Sequence, residues 1–159
     1  MSLLALLFAL AMPALAACAT TPAPHAPAGN YPEATPFAEQ VDAAAALRTA
    51  RVDAAIAGTR IIAVFGANWC HDSRALAGWL ATPRFRALTD GAFEVVYIDV
   101  GVPQTGEGRN LDLAAEHGVR DITGTPTLLV MEADGTLLNT PDDARSWRNS
   151  SASGYLAAT

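Results

Sequence analysis

The chain has no lysine: all ten of its basic residues are arginine, set against sixteen acidic ones for a net charge of −6. No basic cluster stands out, which argues against a nucleic-acid partner, since a phosphate backbone demands a positive track. Histidine is scarce as well. His25 stands in a proline-rich stretch without neighbouring ligands, and His117 falls near a predicted helix end, where it complements the dipole. Cys70 with His71 or Asp72 makes a poor metal site, because adjacent helical residues point apart. No metal and no cofactor are therefore expected. The glycines of 101–108 lack the Lys-Ser/Thr that a phosphate-binding loop needs. Cysteine is the scarcest chemistry of all, with Cys18 near the start and Cys70 alone in the folded part.

No apolar run reaches the roughly 20 residues of a comfortable membrane span. The uncharged segment 1–17, rich in Leu and Ala, reads as an export signal, although it lacks the positive start such signals carry. Leu15-Ala16-Ala17-Cys18 resembles a bacterial lipobox, in which Cys18 is lipidated and becomes the new terminus. Ordinary cleavage after Ala14–Ala16 is the alternative. Residues 18–36, dense in Pro and Ala, form a flexible linker, leaving 37–159 as the domain. These features place the protein on the periplasmic side of a bacterial membrane, touching the bilayer only through its lipid.

What is present centres on RIIAVFGANWCHDSRALAGWL, residues 60–80. The run Ile61 to Phe65 suits a buried strand, Gly66 to Asn68 break it, and Leu76 and Leu80 then fall four apart on a helix. Asn68 as N-cap would put Trp69, Cys70 and His71 in the first turn. Unpaired helix amides there favour a thiolate, the nucleophilic form. A protonated His71 would act in the same sense and Asp72 against it.

This segment resembles the active site of the thioredoxin superfamily, a strand followed by W-C-x-x-C at a helix start. Gly124-Thr125-Pro126-Thr127 resembles the cis-proline loop that faces the sulfur in that fold. The two motifs span roughly 60–138. The resemblance implies an α/β, three-layer thioredoxin-like fold with a mixed β-sheet flanked by helices. It also implies that Cys70 and Ser73 hold the catalytic positions, with Trp69, His71, Thr125 and Pro126 facing the substrate. Two departures matter: Ser73 replaces the second cysteine, and Val64 stands where thioredoxins carry a buried acid, six residues before the first.

The remaining elements follow by pattern. Thr35-Pro36 starts a helix over 37–57 with Val41, Ala45, Val52, Ala55 and Ile56 on its inner stripe and Gly58 as its cap. A short turn follows Thr82-Pro83, with Phe85 and Leu88 inward. Residues 93–100 read as a central strand, 110–117 as a helix, and 127–131 as a strand returning through Asp134-Gly135 to 136–138. Pro141-Asp142-Asp143 opens a closing helix, with Ala144 and Trp147 toward the sheet.

A dithiol site works in two attacks, and Ser73 cannot perform the second, because a hydroxyl forms no S–S bond. A mixed disulfide on Cys70 must wait for an outside thiol. The first reading is thus a monothiol redox protein whose partner is a protein thiol or disulfide, or glutathione. The second is a non-catalytic module that binds a peptide along the cis-proline groove.

Overall fold

In a computed structural model of the protein, residues 32–39, 41–120 and 122–148 are described. The signal segment and Cys18 lie outside them. Strand β1 (Arg60–Gly66) is the middle of the main sheet, parallel to β2 (Phe93–Asp99) and antiparallel to β5 (Thr127–Met131). Every β1 residue after Arg60 is buried, which accounts for its continuous apolar run. Its side chains alternate between two cores. Ile61, Ala63 and Phe65 meet Leu47 and Ala54 of helix α1 (Ala43–Ala57), while Ile62 and Val64 meet Leu76 and Ala77 of helix α2 (His71–Leu80). A mixed sheet with helices on both faces is the expected three-layer α/β architecture.

Several local expectations are corrected. The strand at 93–100 is not central: among the described strands β2 pairs only with β1, and Val95 is exposed. Helix α1 starts at Ala43, capped by Asp42 Oδ1 on the Ala45 amide at 2.9 Å, rather than at Phe37. Phe37 cannot be helical because Asn68 takes both its backbone groups. The Phe37 N–H donates to Asn68 Oδ1 at 3.1 Å, and Asn68 Nδ2 donates to the Phe37 carbonyl at 2.7 Å. The buried face of α1 is Ala43, Leu47 and Ala54, whereas Val41, Val52 and Ile56 are exposed. Leu47 fills the core between two alanines that let the helix lie close to the sheet, while Val52 and Ile56 fall on the outer side. Gly58 does cap α1, in the left-handed conformation with φ 68°.

Helix α3 (Pro83–Thr89) is capped by Thr82 as expected; the Phe85 ring lies tilted against Trp79 with centroids 6.2 Å apart, but Leu88 is exposed. The loop at 101–108 is a small hairpin, β3 (Gly101–Val102) against β4 (Glu107–Gly108), joined by a single 3-10 turn. Helix α4 (Leu111–Ala115) is shorter than expected. Leu113 and Ala114 are its buried residues, and the Asn110 amide bonds the Asp99 carbonyl instead of capping it. After β5 the chain turns at Gly135 and returns as a bridge between Met131 and Leu137. Helix α5 (Pro141–Arg145) opens with a reciprocal capping box between Thr140 and Asp143 and buries Ala144.

The segment before α1 lies across α2. The Ala34 amide donates to the Arg74 carbonyl at 3.1 Å, and Phe37 is fully buried with its ring edge-on to Tyr97 at 5.5 Å. Gly78 allows this approach, since a β-carbon there would collide with the Pro32 carbonyl. Asn68→Ala leaves two backbone groups of Phe37 without their partner. It should lower unfolding stability by about 2 kcal/mol, read as a shift in denaturant midpoint at unchanged m-value.

Candidate functional site

The end of β1 is crowded. A β-carbon on Gly66 would come within 2.6 Å of the Phe37 ring and 2.8 Å of Ser73 Oγ, so glycine is required for the close approach. Residues 67–70 then turn tightly, closed by the Cys70 amide on the Ala67 carbonyl at 3.0 Å. Arg74 holds the turn from the helix side: its Nη1 donates to the carbonyls of Asn68 (3.0 Å) and Trp69 (3.2 Å). Its Nε reaches Glu33 at 3.0 Å. The sequence pattern alone gives Arg74 no role, because its carbonyl partners belong to the folded turn.

Cys70, not Asn68, is the N-cap of α2, with extended backbone at φ −83° and ψ 120°. Its sulfur accepts no amide from the first turn. Instead Sγ lies 3.5 Å from the Thr125 carbonyl oxygen, to which the thiol donates. The Thr125–Pro126 bond is cis and both residues are buried. The structure therefore brings together Cys70, Thr125 and Pro126, the first two separated by 55 positions in sequence.

Trp69 and His71 flank the sulfur on the exposed side. The Trp69 ring is about half exposed, and its Nε1–H donates to the Gly101 carbonyl at 2.9 Å, fixing the indole against the β3–β4 hairpin. That hairpin is anchored in turn by buried Asp99, which accepts from the Gly101 amide at 3.0 Å and pairs with Arg109 at 3.3 Å. His71 lies 3.7 Å from Glu33 and 3.7 Å from Asp72. Among the described residues no cluster of three His, Cys, Asp or Glu side chains is arranged to hold a metal.

Ser73 is fully buried, not a surface residue of the helix. Its Oγ has no hydrogen-bond partner, and the same is true of Thr125 Oγ1. Val64, in the place of the family's acid, is fully buried beside Leu76 in the core under α2. One further residue enters from the far end of the chain. Arg148, just past α5, donates from Nη2 to Thr127 Oγ1 at 2.7 Å and from Nε to the Pro126 carbonyl at 3.3 Å. Burial pulls its pKa below the ordinary arginine value, the nearby Arg145 guanidinium adds to that, and the Cys70 sulfur opposes both. No local pattern announces Arg148, because its partners lie more than twenty residues away.

A buried hydroxyl without a partner forfeits its hydration, a cost of about 1–3 kcal/mol. Ser73→Ala should then leave stability unchanged or raise it by about 1 kcal/mol, in contrast to the loss normal for a buried polar truncation. Thermal and urea denaturation of the variant would read this, and a clear loss would mean that the hydroxyl is bonded.

No family model matches the chain, and no curated protein matches it. Among solved structures it is similar to a disulphide isomerase from Xylella fastidiosa Temecula1, at 31% identity and a TM-score of 0.62. The match covers 78% of this chain and 95% of that one. With a central strand that delivers a Trp-Cys turn to a helix start, a cis-proline loop facing the sulfur, and this likeness over nearly the whole neighbour, the chain belongs to the thioredoxin superfamily.

Proposed function

We propose that the protein is a monothiol redox protein that forms mixed disulfides through Cys70, with a protein disulfide or glutathione as the other half. One observation carries this reading: a half-buried free thiol faces the cis-proline loop at 3.5 Å, and the residue three places on is a buried serine. The likeness to a disulphide isomerase supports the same class of chemistry. In the first step Cys70 loses its proton to solvent and its sulfur attacks a partner disulfide. The partner's S–S bond breaks, a Cys70–S–S–partner bond forms, and the other partner sulfur leaves as thiolate. A second, external thiol then attacks the mixed disulfide, restores Cys70 and departs as the new disulfide. Ser73 takes no electrons in either step. Thr125, beside the sulfur, presents the backbone edge along which an extended partner would lie.

Cys70→Ser should abolish covalent adducts while leaving the fold intact, checked by non-reducing mass spectrometry of protein isolated from cells and by circular dichroism. A discrete disulfide-linked partner on the Cys70 peptide supports the proposal. A thiol that stays unmodified while a protein co-purifies without a covalent bond would replace it with the peptide-binding reading.

We further propose that the domain works on the periplasmic side of a bacterial membrane, tethered by lipid on Cys18. The support is the uncharged apolar segment 1–17 ending in Leu15-Ala16-Ala17-Cys18, followed by the Pro- and Ala-rich linker. The intact mass of detergent-extracted protein should carry an acyl-modified Cys18 as first residue; a mass matching cleavage within 14–17 and a free Cys18 would exclude the lipid.

A further inference from the structure

The sulfur of Cys70 lies between two flanks of different charge. On the α2 side Glu33 and Asp72 surround His71, and Arg74 is paired with Glu33. On the cis-proline side stands Arg148, half-buried, with only a carbonyl and a hydroxyl as hydrogen-bond acceptors. Among the described residues no carboxylate lies within ion-pair distance of it. Arg145 beside it reaches the exposed Asp142 at 3.8 Å and donates to the carbonyl of Arg120, a third and exposed arginine. Asp142 and Asp143 stand in the same helix, so the charge left without an ion-pair partner among the described residues is that of Arg148.

Neutral acceptors satisfy the N–H groups of a guanidinium but do not neutralise it. A partly desolvated cation without a counter-ion gains from any anion that approaches it. The position is specific as well. Arg148 grips Pro126 and Thr127, and a β-carbon on Gly124 would lie 3.4 Å from its Cζ, so it is wrapped around the loop that presents Thr125 to Cys70. Its field is therefore felt where the two sulfurs of a mixed disulfide would meet, which the opposing influence of Cys70 on its pKa also reflects.

We propose that Arg148 is a specificity-determining residue of the Cys70 site, selecting disulfides that carry a carboxylate beside the reacting sulfur. This rests on the reading of Cys70 as the sulfur that forms mixed disulfides. The partner class is then an acidic thiol, such as a small carboxylate-bearing thiol or a cysteine next to Asp or Glu, in preference to a neutral or basic one. The chemistry is that already written: the partner's disulfide is the oxidant, and its anionic end is held by Arg148 while its second sulfur leaves.

The test is the rate at which the reduced full chain forms an adduct on the Cys70 peptide, followed by mass spectrometry so that Cys18 does not interfere. The probes are dithiodiglycolate, bis(hydroxyethyl) disulfide and cystamine, which are anionic, neutral and cationic. Wild type should prefer the anionic probe, and Arg148→Gln should cut the anionic-to-neutral rate ratio about fivefold, the factor for one charge pair at about 4 Å in water. Arg148→Lys should restore much of the ratio, and added salt should erode it. Taking the ratio within each variant cancels any general loss from a loosened loop. A ratio unchanged in Arg148→Gln overturns the proposal while leaving the mixed-disulfide reading in place; absence of an adduct with all three probes overturns both. Glutathione disulfide and an oxidised peptide with Glu beside its Cys, run alongside, tell a small thiol from a protein as the source, and a preference for either over its neutral analogue supports the proposal.

Discussion

The antiparallel register between β1 and β5 is the constraint on which the site depends. Phe65 stands opposite Thr127, so the segment leaving β1 and the segment entering β5 emerge side by side at one end of the sheet. Cys70 lies five residues beyond the first of these and Thr125 two residues before the second. Their meeting at 3.5 Å follows from ladder hydrogen bonds made elsewhere. A slip of one residue would turn Ile61, Ala63 and Phe65 away from the α1 core and Ile62 and Val64 toward it, exchanging the two packed faces. The chemistry is therefore held by apolar burial on both faces of a single strand.

Around that end of the sheet the polar contacts converge on the turn at 67–70 from three directions. Phe37 is tied to Asn68, Arg74 reaches back to the carbonyls of Asn68 and Trp69, and the Trp69 indole is fixed to Gly101. None of these bonds involves the sulfur. They leave Cys70 half-buried with one weak contact to Thr125 while every neighbour is restrained. A thiol reacts selectively when it has access and a fixed setting, and dividing those tasks among different residues provides both.

The site was legible in the sequence because its two halves are local. A β-branched run, a glycine break, Trp69-Cys70 and then helical spacing announce one half, and Gly124-Thr125-Pro126 the other. Whatever depended on distant packing was less legible. Asn68 has the chemistry of an N-cap, but Phe37 claims its amide, and the cap passes to Cys70. The expected inner stripe of α1, Val41, Ala45, Val52, Ala55 and Ile56, is rotated from the real one: Ala43, Leu47 and Ala54 are buried, and Ile56 is 82% exposed. Hydrophobic residues on a surface are ordinary, so size alone does not mark a buried face. Arg148 and Arg74 had no signal at all, since each acts on backbone carbonyls that only the fold brings near.

The two departures from the family pattern belong together physically. An acid at position 64 would stand in a fully buried site lined by Leu76 and other apolar groups, where an ionisable side chain without a partner costs several kcal/mol. Val64 fills the space at no electrostatic cost, and Ser73, three places after Cys70, is no second sulfur. The apolar core under α2 opposes an acid at position 64 more strongly than it opposes a cysteine at position 73.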